Sequence, residues 1–156
     1  MKVIFCDVDG VLNNESTSEL TPNGYRGVSD KLIRNLRKIV DETGAKIVLS
    51  SDWRLLKDTP VNGKDYDYLV ESLDKVSGLT LFDHTADISW SQRGAEVRKY
   101  LKDHPSITDF AVLDDILFLG FTDEDLIEHI VLTDAEEGLS DEDVLRAVKI
   151  LQVNGT

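Results

Sequence analysis

KVIFCDVDGVLN, residues Lys2 to Asn13, decides the fold. Val3, Ile4, Phe5 and Cys6 form an unbroken apolar run rich in β-branched and aromatic types. A run this short predicts a strand buried on both faces, as in parallel sheets. It stops at Asp7-Val8-Asp9-Gly10. Two carboxylates this close at the end of a buried strand repel each other unless a cation lies between them. Gly10 permits a sharp turn and a close approach of backbone to ligand. Open α/β sheets bind ligands beyond the carboxyl ends of their strands, so the stretch predicts a metal-assisted site centred on Asp7.

Downstream, strand and helix signals alternate. Residues 14 to 28 are polar and carry the turn Pro22-Asn23-Gly24, which predicts a loop or small flap. Ser29 or Asp30 caps a helix with Leu32, Ile33, Leu36, Ile39 and Val40 on one stripe, and Gly44 ends it. Lys46 to Leu49 reads as a second buried strand, running into Ser50-Ser51-Asp52-Trp53-Arg54. After an irregular stretch at 55 to 63, Leu69, Val70, Leu73 and Val76 mark a helix ending at Gly78. Leu79 to Phe82 is a short strand, 83 to 91 a loop, and Ser91 a candidate cap. Val97, Tyr100 and Leu101 predict a helix finished before Pro105. Phe110 to Leu113 is a strand ending in Asp114-Asp115, Thr122 with Asp125 opens a short helix, and Ile130 to Leu132 is a last strand. Ser140 with Asp143 makes a capping box for a C-terminal helix. The alternation predicts an α/β fold: a doubly wound, Rossmann-like parallel sheet with helices on both faces. Three strands then end in groups able to do chemistry: Asp7 and Asp9, Ser50 and Ser51, Asp114 and Asp115.

A chain of 156 residues predicts one domain over 1–156. No apolar run approaches the length of a membrane span, and the N-terminus enters a strand with no leader-like segment. The one cysteine, Cys6, sits in the apolar run and predicts an inert core thiol in a reducing, cytoplasmic setting. A formal charge of −13 opposes binding to long polyanions but is compatible with a small phosphorylated ligand held by a metal and one or two cations.

D-x-D-G-V after the first strand, Ser50 after the second, the basic Arg93 opening a later helix and Asp114-Asp115 after a further strand resemble the four motifs of the haloacid dehalogenase-like (HAD) phosphohydrolases. More narrowly, LSSDWR, RGAEV, VLDD and TDAEEGLS resemble the small HAD domains attached to some RNA-repair proteins. The resemblance spans Lys2 to about Gln152 and implies an uncapped or minimally capped domain. It implies that Asp7 is the nucleophile, forming an aspartyl-phosphate, and Asp9 the general acid and base. It implies that Asp7, the backbone carbonyl of Asp9 and Asp114 hold Mg²⁺, with Asp115 as ligand or just behind. Ser50, with Ser51 as its rival, and Arg93 would bind the phosphoryl group, with Gly10 giving the backbone room beside it. The family more often has Lys where this chain has Arg93. Arg keeps the charge, and a cation at a helix start is otherwise poorly placed for the helix dipole.

The implied activity is a Mg²⁺-dependent phosphomonoesterase acting on a phosphorylated small molecule or polymer end, including a nucleotide or nucleic-acid end. The alternatives are a catalytically silent HAD-like domain, a receiver-like phosphate-sensing module and a phosphotransferase. Trp53 reads as packing rather than a stacking platform, and the three histidines show no metal-ligand spacing. Substrate and oligomeric state are left open.

Overall fold

The computed structural model describes residues 1–88 and 92–152, so the candidate cap Ser91 lies outside the described residues. Five strands, β1 (Lys2–Cys6), β2 (Lys46–Leu49), β3 (Leu81–His84), β4 (Asp109–Asp114) and β5 (Ile130–Leu132), alternate with helices α1 (Asp30–Thr43), α2 (Gly63–Ser77), α3 (Arg93–Asp103) and α4 (Asp141–Gln152). Short 3-10 helices cover Asp52–Leu56 and Ile127–His129. All strand pairs are parallel, in the order β3-β2-β1-β4-β5. The doubly wound parallel sheet expected from the sequence is the fold found.

The period-two geometry of a strand explains the two layers of core. Ile4 and Cys6 of β1 face one side, with Ile33 and Leu36 of α1, Leu69 and Leu73 of α2, and Ala147 and Leu151 of α4. Val3 and Phe5 face the other side, with Val97 and Tyr100 of α3 and the loop residues Phe121 and Leu126. Right-handed crossovers account for the split. α1 and α2 carry the chain outward from β1 to β3, whereas α3 carries it back past β2 and β1 to β4. The direction of winding therefore reverses between β1 and β4. That is the place where an open sheet leaves a crevice for ligand.

Local signals hold at most boundaries. Ser29 occupies the cap position of α1, though its side chain makes no capping bond, and Gly44 ends that helix in the left-handed region at φ 71°. Three expectations shift. The third strand begins at Leu81, not Leu79, because Leu79 folds under the end of α2, its N–H donating to Leu73 O at 3.1 Å. Leu79 is buried there, so the apolar residue is used before the strand starts. The strand accordingly runs on through Asp83 and His84, into the expected loop. The expected short helix from Thr122 is replaced by turns and the 3-10 turn Ile127–His129, because Asp123 and Asp125 are drawn to Arg98 at 2.8 Å each.

The capping box of α4 is formed as expected: Asp143 N–H donates to Ser140 Oγ at 3.2 Å and Ser140 N–H to Asp143 Oδ2 at 3.0 Å. Ser140→Ala should therefore lower the unfolding free energy by about 1 kcal/mol. A urea titration should show a lower midpoint at unchanged slope, and an unmoved midpoint would remove the cap from the account of α4.

Candidate functional site

β2, β1 and β4 are neighbours, so their carboxyl ends form one rim. The ladders continue one residue past the strands: Asp7 N–H donates to Leu113 O at 3.0 Å and Ser50 N–H to Cys6 O at 2.9 Å. Asp7, Ser50 and Asp114 are thus positioned by backbone pairing in the middle of the sheet. After Asp7 the chain folds into a tight turn, with Leu12 N–H donating to Val8 O at 2.8 Å and Val8, Val11 and Leu12 buried as its anchors. Asn13 Oδ1 accepts Gly10 N–H at 2.9 Å, and Thr133 Oγ1 donates to Gly10 O at 2.7 Å. Gly10 has φ 77°, and a Cβ there would run into the Asp115 carboxylate. Within the chain, the group packed closely against Gly10 is the Asp115 side chain.

One oxygen each from Asp7, Asp114 and Asp115 lies within 4.8 Å of the others. Asp7 and Asp114 are buried and Asp115 half-buried. Burial, reinforced by the neighbouring Asp114 charge, pushes the Asp7 carboxyl well above its ordinary range. Burial also raises Asp114 to about 7, against the opposing pull of Arg93. Such a cluster of hard oxygen donors can hold a divalent cation such as Mg²⁺. The Asp9 carboxylate stands apart from it: it is exposed, and accepts Asn13 Nδ2 at 2.9 Å and Trp53 Nε1 at 3.2 Å.

Arg93, at the start of α3, is buried at the centre. Its Nη1 donates to Asp114 Oδ2 at 2.9 Å and to Ser50 O at 2.8 Å, and lies 3.7 Å from Asp7 Oδ1. The guanidinium covers the Phe118 ring at 4.5 Å, a cation–π contact. Four carboxylates around it, Asp7, Asp52, Glu96 and Asp114, outweigh the unfavourable helix end.

The two serines part company. Ser51 Oγ accepts Trp53 N–H at 3.2 Å and caps the 3-10 turn. Ser50 Oγ is buried and has no hydrogen-bond partner. An orphaned hydroxyl costs free energy unless a ligand completes it, so Ser50 is the serine with a bond to offer.

Several partnerships around the site escaped the sequence reading. Trp53 does pack, but its indole N–H also holds Asp9. Asn13 ties Asp9 to the turn, a role that its place three residues after Gly10 hinted at. Arg54 and Glu96, both buried, form a pair beneath the site, with Arg54 Nη1 also donating to Ser51 O at 2.7 Å. Glu96 Oε1 lies 3.8 Å from Arg93 Nε, so the pair buttresses Arg93. His104 and His129 stack on Tyr100 and Phe110, away from the rim.

The family model described as the HAD domain in Swiss Army Knife RNA repair proteins matches residues 3–144. The chain belongs to this HAD family. Comparisons with curated proteins and with solved structures found no match. The strand order agrees with the family assignment and disposes of the receiver-like alternative, whose order is 2-1-3-4-5. Among the described residues no helix of this HAD domain is long and apolar enough to cross a membrane.

The raised carboxyls fix the sign of a pH effect. Folded metal-free protein binds more protons at Asp114 than the unfolded chain does, between the ordinary carboxylate range and about 7. Its stability should therefore fall as pH rises from about 4 to about 7. Chemical denaturation in EDTA across that window should show the decline, and Asp114→Asn should flatten it. Stability rising with pH in that window would contradict the buried, raised carboxyls.

Proposed function

We propose that this HAD domain is a Mg²⁺-dependent phosphomonoesterase that works through an aspartyl-phosphate on Asp7. The observation that carries the reading is the orphaned, buried hydroxyl of Ser50, a residue whose carbonyl Arg93 holds on the same rim as Asp7. A phosphoryl group placed there meets a nucleophile, a hydroxyl donor and a guanidinium together.

Asp7 Oδ attacks phosphorus while the bond from phosphorus to the leaving oxygen breaks, and Asp9 gives its proton to that oxygen. Asp9 then takes a proton from a water that attacks phosphorus, and the Asp7–phosphorus bond breaks to release phosphate. Trp53 and Asn13 hold the Asp9 carboxylate for both transfers. Ser50 and Arg93 bind the phosphoryl oxygens. Asp7, Asp114 and Asp115, whose oxygens cluster, would with the Asp9 carbonyl hold Mg²⁺, which would supply positive charge to keep the raised carboxyls ionised beside an anionic phosphate. The RNA-repair description of the family supports a nucleotide or nucleic-acid end as the phosphorylated group.

Phosphate release from p-nitrophenyl phosphate, sugar phosphates, nucleotides and end-phosphorylated oligonucleotides, each with Mg²⁺ and with EDTA, tests the reading. Release should require the metal, and Asp7→Asn should lower it by at least roughly a thousandfold while leaving the circular dichroism unchanged. Retained turnover in that variant, or release indifferent to EDTA, would overturn the mechanism.

A further inference from the structure

A cleft of about 450 Å³ opens next to Asp9, walled by the 20–26 hairpin, the turn around Trp53 and the start of α2. The groups that line it divide into committed and uncommitted. Its three carboxylates are all engaged. Asp9 accepts from Trp53 and Asn13. Asp52 lies 3.7 Å from Arg93 and 3.8 Å from Arg54. Asp65, itself buried, accepts both the N–H and the Nδ2 of Asn23 at 3.1 Å.

Arg26 is the only cation lining the cleft, and its guanidinium has no hydrogen bond or ion pair among the described residues. The Tyr25 ring is 67% exposed and its hydroxyl is unbonded. The free chemistry of the cleft is therefore one aromatic face and one planar cation, beside the proposed general acid.

The hairpin that carries them is held from several sides. Leu20 and Arg26 form an antiparallel bridge, and Gly24 takes φ 88° at its tip. Asn23 docks on Asp65 and on Val61 O, and Val28 N–H donates to Tyr68 Oη at 3.2 Å. A fixed loop that displays two large uncommitted side chains is pre-organised for a ligand, which avoids the entropy of ordering it on binding.

We infer that this cleft is a nucleotide subsite, in which Tyr25 stacks on the base and Arg26 grips a second phosphate, while the reacting phosphate lies at Asp7. The inference rests on the phosphomonoesterase reading for the role of Asp7, and on the cleft alone for the binding. Aromatic stacking accepts every base, and a guanidinium fork matches a phosphate. A nucleoside carrying two phosphates supplies both, free in solution or at an oligonucleotide end.

Binding to the Asp7→Asn protein in Mg²⁺, read by calorimetry, tests the subsite without turnover. A nucleoside 3′,5′-bisphosphate should bind roughly tenfold or more tightly than either nucleoside monophosphate. Adding Arg26→Ala should erase that preference, and Arg26→Lys should restore part of it. Arg26→Ala, but not Arg26→Lys, should also weaken the salt dependence of bisphosphate binding. Tyr25→Ala should cost roughly tenfold and Tyr25→Phe little, as stacking requires. A trinucleotide with a terminal phosphate that binds more tightly than the bisphosphate assigns the subsite to polymer ends, and the reverse order to free nucleotides. Equal affinity for mono- and bisphosphates, indifference to Arg26→Ala, tighter binding of a phosphotyrosine peptide, or no binding at all would overturn the inference. Wild-type protein inert towards every phosphomonoester would sink the phosphatase reading instead, and leaves these binding results to stand or fall by themselves.

Discussion

Two aspartates buried side by side at the centre of a parallel sheet are the constraint that the rest of the site answers. Like charges a few ångströms apart repel by about 4 kcal/mol at the effective dielectric of a protein surface, and more where water is excluded. The chain sets Arg93 between Asp7 and Asp114, bonded to one and 3.7 Å from the other. One guanidinium does not balance the set. Across the buried and half-buried network, Asp7, Asp114, Asp115 and Glu96 face Arg93 and Arg54, four carboxylates against two cations. The difference of two charges is what one divalent cation would match. The raised Asp7 and Asp114 carboxyls express the same imbalance in the metal-free protein.

That arrangement needs Arg93 held where a helix start disfavours it. The Arg54–Glu96 pair does this from below, and Ile88 N–H donates to the same Glu96 oxygen at 3.1 Å. Removing one partner would leave the other as an uncompensated buried charge, which is far costlier than the pair is stabilising. Gly94 adds a packing condition, since a Cβ there would meet Leu119 O at 2.7 Å. The start of α3 and the loop after Asp115 are thereby seated against each other, and Phe118 closes over the guanidinium.

The rim was legible because each of its strands is an apolar run cut off by polar residues. Burial on both faces fixes such strands, and alternation with helices fixes their direction. Strand order brought Asp7, Ser50, Arg93 and Asp114 together as the resemblance implied, while Ser50 and Ser51 could be separated only by finding which hydroxyl was already bonded. What the sequence hid were partnerships between distant residues. Glu96 and Arg54 lie 42 positions apart, and no local pattern marks a buried pair at that separation. Trp53 packs as expected, and its second role was hidden for a different reason: an indole can pack and donate at once, and only the placement of Asp9 reveals the donation. At β3 the error was one of competition, because Leu79 suits a strand or a helix terminus and the helix took it.

The acidity of the chain and a phosphate-directed cleft are reconciled by range. At physiological salt the Debye length is about 8 Å, so most of the −13 formal charge is screened from any one phosphate, while a polymer tracking the surface would meet it repeatedly. Contacts inside the cleft are short and shielded from that average. Every carboxylate there is already bonded or paired, and although Asp9 and Asp65 keep their charge because their donors are neutral, Arg26 is the lining cation left to meet a phosphate. Global charge then works as a filter, turning away long polyanions lying along the protein. The cleft accepts the short anionic end that reaches past the hairpin to Asp7.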